Sequence, residues 1–209
     1  MANNLRKFTT EAEYSAATLS YPAVSWVTSG DTLHYDLRAV TSAPAVMLAF
    51  TTDSCVGGGD TLNVCRDAGT LDIVSAITVN GQPLEPLESN MYLPLDYNTD
   101  YLIKYELMPN ATDMGYNFCI DGLEGCNYEY IQYELLFPEQ VTNISCLPDN
   151  LSALVFLSTT PPTTEMQGSN IPECPIYVPD EVYEDYQETL WNYNIGIQPL
   201  SEYQGNLPI

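Results

Sequence analysis

Apolar residues occur along the chain in short runs separated by turn residues, which is the pattern of β-strands. The clearest strand candidates are residues 46–50, 71–79 and 101–108, and Asn80-Gly81 after the second run predicts a tight hairpin turn. Sixteen Tyr, fifteen Pro and twelve Gly also favour strands and turns over long helices. We therefore expect a mainly β protein with short helices, in the α+β class.

The first forty residues have the pattern of a small separate module. Thr10-x-x-Glu13 is a capping box, and the apolar residues after it predict a short helix that ends before Pro22. Residues 24–27 and 32–35 then predict a hairpin with a four-residue turn at 28–31. Because one helix and one hairpin bury little apolar surface, we expect this module to dock on the rest of the chain, on a second copy or on a partner.

A weak repeat follows, in which residues 105–112, 133–142 and 154–163 each combine an apolar strand with a Pro-containing turn. Their starts lie 28 and 21 residues apart, close to the period of about 20 to 29 residues of leucine-rich repeats. A stack of such coils needs an end cap. A helix after Pro179, with Asp180 as its N-cap, is predicted to supply it through an apolar stripe of Val182, Tyr183, Tyr186 and Leu190.

These patterns divide the chain into three expected domains. They are an N-terminal module of residues 1–40, a central antiparallel β domain of residues 41–100, and a short, degenerate leucine-rich-repeat-like stack with its capping helix in residues 101–209. The net charge also becomes more negative from one end of the chain to the other. Residues 1–40 carry a net charge of -1, whereas residues 41–104 carry -6 and residues 105–209 carry -16.

The overall charge excludes several classes of partner. Five Lys or Arg stand against 28 Asp or Glu, a net charge of -23. Such a chain cannot neutralise phosphates, so we expect neither nucleic acid nor an anionic membrane surface as a partner. No apolar run is long enough to span a bilayer, and the N-terminus lacks the apolar stretch of a signal peptide, so secretion by that route is not expected.

Catalytic motifs are sparse, and we expect no enzyme. His34 is the only histidine, which excludes two-His metal sites, and no Gly-x-Ser-x-Gly accompanies it, so a structural role is favoured over a Ser-His-Asp site. Carboxylate pairs of the glycosidase kind stay open, because 28 acids will place some pair at a catalytic separation by chance. Six cysteines without CxxC spacing favour buried thiols over zinc or redox motifs.

Two groups of residues partly match binding sites, and each also has a simpler structural interpretation. Asp96, Asn98 and Asp100 match the first ligands of a calcium loop, but Tyr101 and Leu107 stand where Gly and Glu are required, so a polar turn is favoured over weak calcium binding. No other cofactor is expected. Aromatic residues near the C-terminus could stack on a glycan, although packing of the cap is favoured; the glycan candidates are Tyr183 and Trp191.

Two stretches resemble known families. The order LVFLSTTPPT, CPIYVPDEVYEDYQETLW and IQPL, over roughly residues 130–203, resembles the end of BspA-like leucine-rich repeat proteins of Bacteroidales, which are surface adhesins. Residues 1–36 resemble the opening module of virion proteins from Bacteroidales phages, including the crAss-like group. In those proteins similar modules precede varied β domains of head fibres and capsid decorations.

Together the resemblances imply a non-enzymatic virion structural protein, a head fibre or capsid decoration at the capsid surface, made in the bacterial cytoplasm. Its N-terminus would bind major or auxiliary capsid proteins, and its acidic C-terminal part would project outward towards a host cell-surface glycan. A homo-oligomer is expected, with a trimer favoured over a dimer. A tail-associated virion protein, a glycan-binding adhesin and a carboxylate-based depolymerase are the alternatives. The expected capsid contacts are Arg6, Lys7, Phe8, Tyr14, Trp26 and Tyr35.

Overall fold

The computed structural model describes residues 5–8, 24–29, 32–36, 43–54, 60–65, 68–114, 131–148, 150–166, 171–192 and 196–209. Strands account for 40% of it and helical residues for 13%, so the predicted mainly β class is confirmed. The chain divides into two compact units, residues 1–43 and residues 44–209.

The first unit contains a three-stranded sheet of β1 (Leu5–Phe8), β2 (Val24–Ser29) and β3 (Thr32–Asp36), in that order. β2 and β3 form the predicted hairpin, but Ser29 pairs with Thr32, so the strands extend into the segment predicted as a four-residue turn. β1 runs parallel to β2 and was not predicted. The predicted helix before Pro22 lies outside the described residues.

The described strands of the second unit are β4 (Ala45–Thr51), β5 (Thr61–Cys65), β6 (Val74–Val79), β7 (Gln82–Pro83), β8 (Met91–Pro94), β9 (Asp100–Leu107), β10 (Asp113–Met114), β11 (Tyr133–Phe137), β12 (Asn143–Ile144), β13 (Leu151–Phe156), β14 (Ile176–Val178) and β15 (Ile197–Pro199). Eight of them form one mixed sheet, with order β15-β14-β13-β11-β4-β9-β6-β7. β5 and β8 pair separately, as do β10 and β12. Among the described residues, two short α-helices, α1 (Ala68–Ile73) and α2 (Tyr183–Gln187), accompany these strands.

β4 joins the regions on either side of the predicted boundary at residue 100. It pairs antiparallel with β9 on one side and with β11 on the other. One apolar core then runs from Val46 to Ile197 through the central strands. Described buried residues of β4, β5 and β6 therefore share this core with strands that follow residue 100.

The strand predicted over residues 71–79 begins only at Val74. Residues 68–73 form α1, because a single helical turn there lets Leu71 and Ile73 pack against the core. The hairpin at Asn80-Gly81 is confirmed, with φ of 50° and 77° at the two residues, as a type I′ turn requires. The Asn80 side chain also bonds to β9, donating to the Asp100 carbonyl at 2.9 Å and accepting the Leu102 N–H at 2.7 Å.

Both faces of the sheet are covered. Alternate strand residues such as Leu48, Ile103 and Leu154 are fully buried in the main core. The opposite face buries a second set, Ala49, Leu136 and Val155, against Leu207. Leu207 belongs to residues 200–209, called here the C-terminal segment. This segment therefore covers the second face of β4, β11 and β13.

The three segments of the predicted repeat come together at their ends. Thr142 N–H donates to the Thr112 carbonyl at 2.8 Å, and Thr163 N–H donates to the Thr142 carbonyl at 2.8 Å. β10 and β12 pair in parallel beside these threonines, and Asn143 forms a parallel bridge with Thr163. In the main sheet, β11, β13, β14 and β15 are parallel neighbours, whereas β4 separates β9 from β11.

Candidate functional site

Trp191 and Tyr186, two of the aromatic residues near the C-terminus, are buried inside the second unit. Trp191 is 1% exposed; its indole N–H donates to the Pro162 carbonyl at 2.8 Å, and its ring meets that of Phe156 edge-on at 4.9 Å. The Tyr186 ring stacks on that of Phe156 at 5.8 Å, and the Tyr186 hydroxyl donates to the Ser158 carbonyl at 2.9 Å. Trp191 thus has no face open to a sugar. The glycan candidate Tyr183 is half-buried against the same core.

Asp180 is not the N-cap of a helix, contrary to the prediction. The chain enters a 3-10 turn, Asp180–Val182, directly after Pro179, and α2 follows without a side-chain cap. Asp180 is consequently inside the turn, and its carboxylate accepts the Ser201 backbone N–H at 3.0 Å. Hydrogen bonds from Ser201, through its side chain and its backbone, lower the pKa of Asp180. Asp180 therefore links the turn to the C-terminal segment.

The calcium-loop candidates form the turn that leads into β9. The Asp100 carboxylate accepts the Thr51 hydroxyl at 2.7 Å, and the Asp96 carbonyl accepts the Thr52 hydroxyl at 2.6 Å. Asn98 adopts a positive φ of 49°, as turn residues do. Among the residues that the structure describes, no group of three or more His, Cys, Asp or Glu could hold a metal ion. Calcium binding at this turn stays a prediction.

The expected capsid contacts are distributed over the small sheet by its backbone register. Lys7 pairs with Trp26, which pairs with Tyr35, so these three residues occupy one row across the strands. Arg6 and Phe8 occupy the rows on either side. Because successive residues of a strand alternate between the faces of a sheet, the register assigns Lys7, Trp26 and Tyr35 to one face and Arg6 and Phe8 to the other. Tyr14 lies outside the described residues.

A cluster around Glu134 holds the C-terminal segment, and the sequence did not predict it. Glu134 accepts the Tyr203 hydroxyl, the Asn206 backbone N–H at 2.7 Å and the Asn206 side-chain amide at 2.9 Å. Tyr203 in turn accepts the Leu207 N–H at 2.9 Å. Burial and the bond to Glu134 raise the pKa of Tyr203. A Cβ at Gly205 would collide with the side chains of Glu134 and Tyr203, so a larger residue there would have to displace them.

The C-terminal segment and the turn after β14 together line a surface depression of about 720 Å³. Its apolar lining comes from Leu200, Leu207 and Pro179, with Ile209 at 55% exposure. Two carboxylates, those of Asp180 and Glu181, also line it. The depression therefore combines apolar surface with negative charge, and it lies entirely within the second unit.

The cysteines differ in part from the prediction of buried thiols. Cys65 and Cys174 are buried, and burial raises the pKa of the Cys174 thiol to about 12. Cys146, however, is disulfide-bonded. The chain spacing could not show this bond, since pairing depends on which coils the fold brings together.

Comparison with known proteins identifies no relative of this chain. No protein-family model, curated protein or solved structure matches the chain. In the part of the chain that the structure describes, no helix is long and apolar enough to cross a membrane. The candidate functions are therefore inferred from the residues, the contacts and the charge distribution.

Proposed function

We propose that the chain is a non-enzymatic structural protein of a phage particle, a head fibre or capsid decoration protein. Residues 1–43 would attach it to major or auxiliary capsid proteins, and residues 44–209 would project outward. The division between the two units supports this assignment, because it coincides with the division of charge. The first unit has three basic and four acidic residues, and the second has two basic and 24 acidic residues.

This charge distribution favours one orientation. The first unit has little net charge and carries Arg6 and Lys7, so acidic groups on a capsid would not repel it. The second unit repels its counterparts on neighbouring copies within about a Debye length, ~8 Å at physiological salt. Crowding the acidic units against the capsid would cost free energy, whereas projecting them into solvent separates them.

The parallel strands of the second unit support its finer assignment as a leucine-rich-repeat-like stack. Parallel neighbours in the sheet follow the order of the chain from β11 through β13 and β14 to β15. Tyr186 in α2 and Trp191 after it pack against Phe156 and close the apolar core there. A capped stack is a self-contained support for adhesion, in keeping with the resemblance to surface adhesins. Weak contacts of each copy with a host glycan would gain avidity in a homo-oligomer, for which a trimer is the proposed form.

The proposal is tested on intact particles. Electron microscopy of virions should show density for residues 44–209 on the capsid surface, and antibodies against this unit should label heads. Labelling of tails would instead identify a tail-associated virion protein. Deleting residues 1–40 should abolish decoration; particles that stay fully decorated would show that attachment lies elsewhere.

Two charge-neutralising variants distinguish the faces of the small sheet. Lys7→Gln and Arg6→Gln remove the same charge from neighbouring positions that the register assigns to opposite faces. If one face binds the capsid, one variant should lower occupancy at limiting protein concentration and the other should not. Equal occupancy for both variants and the unmodified chain would contradict attachment through these bases.

A further inference from the structure

We propose that the depression beside the C-terminal segment binds a basic, extended segment of a partner protein, in which Lys or Arg alternates with apolar residues. The inference does not depend on capsid attachment, since every lining residue belongs to residues 179–209. It rests on three properties of the depression: its apolar surface, its charge and its fixed walls.

The apolar surface is suited to a partner side chain. Pro179 and Leu207 are buried in the walls and Leu200 is half-buried, while Ile209 leaves more than half of its surface in water. Ile209 is one of only three large hydrophobic residues that are exposed in the described part of the chain. Covering it would remove apolar area from water, which favours binding.

The charge of the depression selects a cationic partner. Among the described residues that line it, Asp180 and Glu181 carry carboxylate side chains and none has a basic side chain. Hydrogen bonds from Ser201, one of them from its N–H at 3.0 Å, keep the Asp180 carboxylate charged and in place at the surface, where a guanidinium or ammonium group can pair with it. The surrounding unit, with 24 acidic and two basic residues, repels an anionic segment and attracts a basic one.

The walls are held before any partner arrives. Glu134 accepts hydrogen bonds from Tyr203 and Asn206, and Asp180 accepts one from Ser201. A site whose loops are already ordered loses less conformational entropy on binding. A short peptide should therefore show measurable affinity.

The test uses the full chain and a labelled model peptide, acetyl-Leu-Arg-Leu-Lys-amide, followed by fluorescence anisotropy. A control peptide carries Gln in place of Arg and Lys. The basic peptide should bind, its affinity should fall between 0.05 M and 0.5 M NaCl, and the control should bind at least about fivefold more weakly. Absence of binding by the basic peptide, or equal binding by the control, would overturn the proposal.

Variants locate the binding. Asp180→Asn keeps an oxygen for the Ser201 N–H while removing the charge, and together with Glu181→Gln it should weaken binding about fivefold. Ile209→Ser, at an exposed residue that is not part of the buried core, should also weaken it. Glu139→Gln removes an exposed charge from outside the depression and should change affinity less than twofold.

Two other results would contradict the assignment. An equal loss of affinity in Glu139→Gln and in the Asp180/Glu181 double variant would show general attraction to an acidic surface. Concentration-dependent dimerisation that the double variant abolishes would assign the depression to a second copy of the chain.

Discussion

Replacing Trp191 by alanine should destabilise the second unit strongly, because the side chain closes the core at its C-terminal end. The ring is 1% exposed and packs edge-on against Phe156. Truncating a buried aromatic residue costs about 3 to 5 kcal/mol, and the Pro162 carbonyl would also lose its donor, at about 1 to 3 kcal/mol. Relaxation around the cavity offsets part of this sum, so we expect a loss of about 4 to 6 kcal/mol.

Hydrogen exchange of the β13 and β14 amides measures this loss in the second unit alone. Each 1.4 kcal/mol is a factor of about ten, so protection in Trp191→Ala should fall by about a thousandfold or more. Trp191→Phe retains a ring beside Phe156 but has no N–H for Pro162, so its loss should be about 1 to 3 kcal/mol. Tyr183→Ala, at a half-buried position, should cost less than Trp191→Ala.

The glycan interpretation makes the opposite prediction for the same variants. If Trp191→Ala changes protection by less than about tenfold but abolishes binding to host cells, the cap explanation is refuted. Loss of both protection and cell binding would follow from unfolding and would support the cap.

Four further predictions concern the C-terminal segment, the buried groups Tyr186 and Cys174, and calcium. Glu134→Gln should accelerate hydrogen exchange at Asn206 by about tenfold or more, because one acceptor oxygen becomes a donor; unchanged exchange would contradict the role of Glu134. Burial raises the pKa of Tyr186 above its ordinary value of 10.0, so its contribution to stability is complete below about pH 10 and is lost as the pH rises further; alkaline melting should be less steep in Tyr186→Phe. Cys174, with its pKa raised to about 12, should react with a thiol reagent at pH 8 only after unfolding, and rapid reaction of the folded chain would refute its burial. Because a polar turn is favoured at residues 96–100, titration calorimetry should detect no calcium-dependent heat; heat that Asp100→Asn removes would instead establish weak calcium binding there.

The sequence predicted those elements whose cause is local. β4 and β9 are apolar runs bounded by turn residues, and Asn80-Gly81 supplies the positive φ values that its turn needs. The hairpin of the first unit also followed from neighbouring residues. α1 was missed because six residues are too few to show a helical period.

The arrangement of the strands was not predictable in the same way. The period of the repeat marked segments that do stack at Thr112, Thr142 and Thr163, but it could not show that β4 lies between β9 and β11. Such pairing depends on long-range contacts that leave no local pattern.

The C-terminal segment was missed for a related reason. Its anchors, Tyr203 and Leu207, are single residues in a polar stretch and have no periodicity. Glu134 gave a weak signal, as a lone acid inside the apolar run of β11, but alternation along a strand explains a solvent-facing acid equally well. Only the fold brings the three residues together.

The position of β4 has a consequence for how this architecture can change in length. β4 bonds to β9 on one side and β11 on the other, with Leu48 opposite Leu135, so a strand inserted beside β4 would replace one of its antiparallel pairings. Beyond β11 each strand pairs in parallel with the next, and a coil inserted between β13 and β14 would replace one parallel pairing by two of the same kind. Variation among natural or engineered versions of this chain should therefore accumulate as whole coils on the C-terminal side of β11, which would lengthen the protein in one direction only.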